Sequence, residues 1–545
     1  MPWDTPDVDT VNISYRQHSL EESWDAIVIG SGMGGLTTAA VLAQQAGKRV
    51  LVLERHYAAG GFTHVFHRPG YEWDVGVHYV GEVHDARFEA RRIFDALTGV
   101  RLEWARMPDV YDRARIGDRE YEFVSGRDRF RDRLQEYFPV ERETVDRYLR
   151  AVDEAKRASM MYFAEKAVPG PIARVAGGLM RCGFLRWASR TTGEVLASLG
   201  ASVELAACLT AQWGDYGLPP AQSSFGIHAI VAAHYFEGAA YPVGGSARIA
   251  ETFAPAILDA GGRIVTSAEA ASVMLDRRNR AVGVRMADGR EFRAPIIVSD
   301  AGAGNTFGKL LPPETPGLDA IRSELNTTTP SLAHLCLYVG LRGSAATLGL
   351  PAANLWVHAT PDHDANLARL SANPAAPFSS LFISSPSAKD PQFEDRHPGR
   401  STMEVVTPGP WAWFEKWQET RWKKRGAAYD EWKREMSERM VAELVRQIPA
   451  AAGRIDSAEL STPLSTRHFA DYSQGEMYGI ASTPARFRMR GLRAATPVPG
   501  LYLTGADLIS LGVTGALYSG LTTSSAILGG NMAKAVARTV RSAAA

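Results

Sequence analysis

Residues 25–54, DAIVIGSGMGGLTTAAVLAQQAGKRVLVLE, restrict the fold more than any other stretch of this chain. A short apolar run ends in Gly30-Ser31-Gly32-Met33-Gly34-Gly35, an Ala/Leu-rich helical pattern follows, and a second apolar run closes on Glu54. Strand, glycine turn, helix, strand and acid in that order make one βαβ unit that binds a dinucleotide. Gly30 permits the tight turn, Gly32 lets a pyrophosphate approach the backbone, and Gly35 lets the helix pack close to the strand. The helix start offers unpaired N–H groups and a positive dipole end to phosphates. Glu54 suits the hydroxyls of a plain adenosine ribose better than a 2′-phosphorylated one.

At 545 residues the chain is long for one core, so two or more domains are expected. Sixty basic and sixty acidic residues cancel, which gives no basic footprint for nucleic acid. Cys182, Cys208 and Cys336 are widely spaced, which fits a reducing compartment and neither a disulfide framework nor a zinc site. Four histidines (His64, His67, His78 and His84) match no metal-binding spacing, so no metal is expected. Residues 1–25 are polar and acidic and lack the apolar segment of a secretory signal. No run of about 18 uncharged apolar residues predicts a membrane-spanning helix, and the expected location is cytoplasmic. Neither a GxSxG elbow nor a Walker loop is present, so hydrolase and phosphoryl-transfer chemistry find no support.

After Glu54 the chain runs Arg55-His56-Tyr57-Ala58-Ala59-Gly60-Gly61-Phe62-Thr63. A Gly-Gly pair there lets the backbone lie flat against a cofactor's diphosphate and ribityl chain. Residues 71–81 (YEWDVGVHYVG) alternate like a strand with glycine punctuation. Residues 90–240 read mainly helical, and strand patterns return at 331–339, 353–357, 378–384 and 402–407. These later strands predict a sheet that roofs a substrate cavity. A tryptophan-rich helical stretch follows over 411–448, expected to serve packing more than ligand stacking. Residues 166–190 carry five basic residues, no acidic one, and Leu, Met, Phe and Trp between them. Pro169 and Pro171 predict a loop or two short helices there, facing an anionic membrane surface.

The segments AIVIGSGMGG, LVLERHYAAGGFTHVF and YEWDVGVHYVG resemble the phytoene desaturase and carotenoid isomerase superfamily of flavoproteins, and within it the all-trans-retinol 13,14-reductase (retinol saturase) branch. Residues 241–245 (YPVGG), the hairpin segments over 272–301, residues 500–507 (GLYLTGAD) and 512–516 (GVTGA) carry the same resemblance. Desaturases of that superfamily have arginine after the Gly-Gly pair, where this chain has Phe62; the saturase branch also lacks it.

The resemblance implies an α/β protein with a discontinuous Rossmann-type FAD-binding domain (1–90, 241–310 and 495–545). An α+β substrate domain with a mixed sheet and a helical region would take 91–240 and 311–494, with 160–190 facing a membrane. The FAD site it implies comprises Gly30, Ser31, Gly32, Met33, Gly34, Gly35, Glu54, Arg55, Gly60, Gly61, Phe62, Thr63, His78, Val273, Gly505, Asp507, Gly512, Val513 and Thr514. Val273 would meet the adenine edge through its backbone, and Asp507 the ribityl or pyrophosphate region. The helix opening at Gly512 would aim its dipole at the flavin pyrimidine ring.

The implied reaction is reduction of one C=C bond of a lipophilic conjugated isoprenoid, with hydride from flavin N5 and a proton from His78, Tyr79 or Tyr478. NAD(P)H would act as a transient reductant, because residues 302–308 (GAGNTFG) lack the acid-ended βαβ unit of a second nucleotide site. Desaturation or cis–trans isomerisation of a carotenoid are the alternatives on the same fold. An amine oxidase and a non-catalytic flavin- or lipid-binding protein are more remote ones. Which polyene, which bond and what oligomeric state stay open.

Overall fold

The computed structural model describes residues 11–17 and 19–543. Strands that are apolar at every position must be covered on both faces, which parallel α/β sheets achieve. Ala26–Ile29 and Val50–Leu53 are such strands, buried throughout. They lie at the centre of a parallel six-stranded sheet ordered Ile13–Ser14, Arg263–Thr266, Val50–Leu53, Ala26–Ile29, Ile297–Ser299, Leu501–Leu503. One face is covered by the helix Met33–Ala46, which packs against Ala247–Leu258 and Gly512–Leu528. The other is covered by the antiparallel strands Ala270–Leu275, Ala281–Met286 and Glu291–Arg293. The architecture is thus a Rossmann-type α/β unit assembled from three separated parts of the chain.

A seven-stranded mixed sheet forms the second layer system, ordered Ile455–Ser461, His334–Arg342, Arg400–Pro408, Ser380–Ser384, Asn354–His358, Val110–Ile116, Arg119–Val124. All its pairs are antiparallel except Asn354–His358 with Val110–Ile116. Alternation along the strands divides its faces. Leu335, Leu337, Val339, Met403 and Val405 pack with Met436, Met440 and Leu444 of the helix Ala427–Gln447. On the other face Cys336 and Tyr338 pack with Tyr71 and Trp73. The four strand patterns seen in the sequence beyond residue 330 are all present.

Two expectations need correction and one an addition. Residues 90–240 are mainly helical, as expected, although Val110–Ile116 and Arg119–Val124 supply one edge of the large sheet. Their many charges (Arg113, Arg115, Glu120, Glu122) pair across the strands on the exposed side and mask the strand pattern. The stretch around Pro169 and Pro171 is one helix, Gly170–Ala188, because Pro169 is its N-cap and Pro171 falls in the first turn, where no N–H is required. The tryptophan-rich stretch is not a single helix: 3₁₀ turns at Trp411–Trp413 and Glu415–Trp417 precede Ala427–Gln447. Trp413 and Trp417 are buried in the core with Phe414, as packing requires, whereas Trp422 opens onto the cavity described next.

Candidate active site

One cavity of about 990 Å³ runs from the carboxyl ends of the parallel strands to the inner face of the large sheet. Its first end is the glycine turn. Gly30 has φ +100°, and a Cβ on Gly35 would lie 2.3 Å from the Gly30 carbonyl oxygen, so helix and strand pack as closely as backbone allows. A Cβ on Gly34 would lie 2.6 Å from the Gly505 nitrogen, and one on Gly61 3.0 Å from Gly32 Cα. Three glycine segments distant in sequence therefore converge.

Ser31 ties them together: its hydroxyl donates to Glu54 Oε2 (2.7 Å) and accepts from the Gly60 N–H (3.0 Å). Glu54 also accepts from the Ser31 N–H (2.9 Å) and the His56 N–H (2.7 Å), which fixes its carboxylate at the cavity wall. Met33, Phe62 and Thr63 line the same wall, and Arg55 is held by Asp471 at 3.2 Å.

Asp300 stands at the centre of this cradle although the sequence singled it out only as part of a motif. Its Oδ2 accepts from the Gly35 N–H at 3.0 Å. A Cβ on Gly32 would meet that oxygen at 2.5 Å, and one on Gly505 would meet Oδ1 at 2.3 Å. Gly32 is thus required by a protein carboxyl as well as by any ligand. Burial, with the nearby Glu54 and Asp507 charges, pushes Asp300 up to about 8 against the Gly35 hydrogen bond. A carboxyl that is neutral at pH 7 does not repel a diphosphate.

Asp507 lines the cavity, and its oxygens accept from the Ala303 N–H (2.7 Å) and the Ile480 N–H (2.9 Å). It thereby closes the helix start at residues 302–308. Gly505, Gly512 and Val513 line the cavity as well. Thr514 does not; its Oγ1 is buried without a partner among the described residues, and only its backbone shares the first turn of Gly512–Leu528. Val273 is also misplaced by the sequence, since it is a buried strand residue whose N–H donates to Leu310 at 2.8 Å. Ala268, Glu269, Ala270 and Ala271 take the cavity position instead.

At the far end the cavity is lined by His78, His334, Cys336, Tyr338, Val406 and Tyr478. Neither His78 Nε2 nor the Tyr478 hydroxyl has a hydrogen-bond partner among the described residues, and neither is among their sealed polar atoms. Burial pushes His78 down to about 3 and the Tyr478 phenol well up, so both are neutral at pH 7.

Tyr79, adjacent to His78, points the opposite way, as successive residues of an extended chain do. Its hydroxyl lies 2.9 Å from Asp112 and 2.7 Å from Asp215 behind the cavity wall, which removes it from the candidate proton donors. The sequence missed His334, Cys336 and Tyr338, whose i, i+2 spacing on one strand face was the available signal, and Glu404, a lone acid in an apolar strand. Among the described residues no group of three or more His, Cys, Asp or Glu side chains is placed to hold a metal. No described helix is long and apolar enough to cross a membrane.

The set of groups at the first end fits FAD. Unpaired N–H groups start two helices, glycine backbones leave room for a diphosphate, and Glu54 waits where the ribose would lie. Comparison with known proteins agrees with this construction. Residues 28–97 match the model of an NAD(P)-binding Rossmann-like domain. Over 540 residues the chain is 37% identical to an all-trans-retinol 13,14-reductase of Homo sapiens, covering 95% of this chain and 88% of that protein. A chloroplastic prolycopene isomerase of an Oncidium hybrid is 26% identical over 92% of this chain and 83% of its own. Among solved structures, a putrescine oxidase variant superposes with a TM-score of 0.61 at 15% identity, covering 93% of this chain and 99% of that one. At that identity the likeness concerns the fold.

Proposed function

Because this chain belongs to the all-trans-retinol 13,14-reductase family, we propose that it is an FAD-dependent oxidoreductase reducing one C=C bond of a lipophilic, retinoid- or carotenoid-like polyene. The observation that carries this is the single cavity joining the dinucleotide cradle to His78 and Tyr478 between apolar walls that include Phe66, Val406 and Met477. Bound FAD supplies the hydride that saturation of a double bond needs at one carbon.

The chain's own residues hold and orient. The first N–H groups of Met33–Ala46 take the diphosphate, Glu54 the adenosine ribose, and the start of Gly512–Leu528 the electron-rich side of the flavin. The second carbon needs a proton. His78 and Tyr478 each carry one at neutral pH, with no acceptor for the His78 Nε2 or the Tyr478 hydroxyl among the described residues. The apolar walls exclude water and keep the polyene dry. NAD(P)H serves as transient reductant: the Ala303 N–H of residues 302–308 is already taken by Asp507, so no second nucleotide cradle opens there.

The helix Gly170–Ala188 rests on an anionic membrane face. Ile172, Val175 and Leu179 follow one another at helical spacing and are 56%, 89% and 81% exposed. Arg174 and Arg186 are exposed as well. Arg181 is not, since it donates to the carbonyls of Phe487 (2.9 Å) and Met489 (2.8 Å), so it takes no part in that contact. Lys166 is likewise turned inward, onto the Leu492 carbonyl at 2.7 Å.

Anaerobic incubation of the reduced enzyme with all-trans-retinol and a carotenoid panel tests the reaction by product mass. A gain of two mass units supports saturation. A loss of two replaces it with desaturation, and unchanged mass with altered retention replaces it with isomerisation, which the prolycopene isomerase relative makes the second choice.

A further inference from the structure

Behind His78 the large sheet holds a fully buried acid. Glu404 lies on Arg400–Pro408 between Met403 and Val405, and those two neighbours point into the opposite core. No described side chain hydrogen-bonds to either carboxyl oxygen, while the Asp74 backbone lies near enough to favour the carboxylate form. Oε2 is 2.8 Å from His78 Nδ1, off the axis of a hydrogen bond, and Nδ1 has no other partner.

Leaving two buried polar groups unsatisfied costs about 1–3 kcal/mol each. A short rotation of the carboxyl satisfies both, but only if one of them carries a proton. Burial and the Asp74 charge raise Glu404 well above the usual carboxylate range, against the pull of Lys389. His78 is driven the other way, mainly by burial. Both shifts favour the arrangement in which the proton between them sits on the carboxyl and the imidazole is neutral.

Their surroundings hold this arrangement in place. The Lys389 Nζ donates to the His78 carbonyl (2.8 Å) and to Ser384 Oγ (2.7 Å), and its charge favours the carboxylate form of Glu404. Asp74 is occupied by the Tyr241 hydroxyl and by the Ser246 N–H at 3.0 Å. Asp112 and Asp215 are occupied by Tyr79. His334 lines the same cavity as His78 and is itself held neutral by burial.

We propose that Glu404 is the proton store of a two-member relay whose outlet is His78 Nε2 on the cavity. The protonated Glu404 carboxyl donates to Nδ1 and so fixes His78 as its Nε2–H tautomer. As Nε2–H is given to a substrate carbon, the Glu404 O–H bond breaks and an Nδ1–H bond forms. The imidazole ends neutral in its other tautomer. Glu404 ends as a carboxylate, a charge that the Lys389 ammonium favours. The hydride for the neighbouring carbon comes from reduced flavin, so the proposal rests on the reduction reading above. Glu404 acts through His78 and is a positioning and proton-holding residue.

Two measurements test it. The first is anaerobic stopped-flow reoxidation of the reduced holoenzyme by all-trans-retinol. Glu404→Gln keeps a donor to Nδ1 but has no proton to give, so it should slow this step about 100-fold or more. Reoxidation by dioxygen and flavin content should be unchanged. A rate within about threefold of the parent protein overturns the relay. The second is ¹⁵N NMR of histidine-labelled protein. His78 should be protonated at Nε2 in the parent and in Glu404→Gln, and should become a tautomer mixture in Glu404→Leu. Protonation at Nδ1 in the parent overturns the proposal whatever the kinetics. If the parent protein leaves every polyene unchanged, the reduction reading and delivery to a substrate fail together, while the NMR still decides the state of the pair.

Discussion

At residue scale the dinucleotide end is governed by one carboxyl and the glycines that make room for it. In the folded chain Asp300 titrates at about 8; unfolded, it would titrate at about 3.9. Between those values the folded state holds a proton that the unfolded state releases, so this group's contribution to stability is lost as pH rises from about 4 to about 8. Asparagine cannot titrate. The thermal midpoint of flavin-stripped Asp300→Asn, relative to the parent, should therefore rise from pH 5 to pH 8. A constant difference would contradict the buried neutral carboxyl.

Gly34 tests the other side of the cradle. Its Cβ would sit 2.6 Å from the Gly505 nitrogen and 2.7 Å from Gly505 Cα, and backbone cannot swing away as a side chain can. Gly34→Ala should yield protein with less than about a tenth of the parent flavin content, read from its absorbance. Normal flavin loading would show that the 500–507 segment yields where the packing says it does not.

Elements decide which of these residues meet. Alternation on Arg400–Pro408 sends Met403 and Val405 into one core and leaves Glu404 and Val406 on the cavity side, so a single strand builds both packing and site. The helix Gly170–Ala188 shows the same division around its axis. Gly177, Arg181, Phe184 and Ala188 are buried, while Ile172, Val175 and Leu179 face out. Burying each of those three apolar side chains is worth about 1.5–3 kcal/mol. An exposed arginine near an anionic surface adds about 1 kcal/mol. The apolar residues should therefore dominate membrane contact. The triple variant Ile172→Glu, Val175→Glu, Leu179→Glu should lose flotation on anionic vesicles, while Arg174→Gln with Arg186→Gln should only weaken it. Equal flotation of the triple variant, or none by the parent, would remove the membrane from the description.

For the whole molecule, the cofactor end is assembled from residues 30–35, 54–64, 268–271, 300–305 and 504–516. A ligand that binds this assembly and not the unfolded chain stabilises it by about 2.7 kcal/mol at a hundredfold excess over its Kd. Stripping FAD should lower the thermal midpoint by several degrees, with readdition restoring it. The loss should fall on the Rossmann-type unit first, seen as hydrogen exchange in Ile297–Ser299 and Leu501–Leu503 before the large sheet. Simultaneous loss in both would mean that the two units unfold as one.

Read alone, the sequence determined the Rossmann-type unit, because the βαβ fingerprint is local: glycine spacing, apolar strands and the closing acid all fall within residues 25–54, whereas the family rested on resemblance carried also by 55–81, 241–301 and 500–516. It also determined the later strands and the closing segment at 500–516, through short runs with turn punctuation. The His78 end of the cavity was decided by tertiary structure. His78 and Glu404 are far apart in the chain and meet only because a two-stranded ribbon, Val65–Arg68 with Tyr71–Asp74, docks on the large sheet. Which of two adjacent residues, His78 or Tyr79, faces the cavity depends on a half-turn of extended backbone that no composition records. Val273 and Thr514 lie outside the cavity for reasons of packing: the Val273 N–H is taken by the Leu310 carbonyl, and the Thr514 side chain is buried away from the cavity. Burial, finally, sets the protonation of Asp300, His78 and Glu404, and burial is a property of the assembled fold.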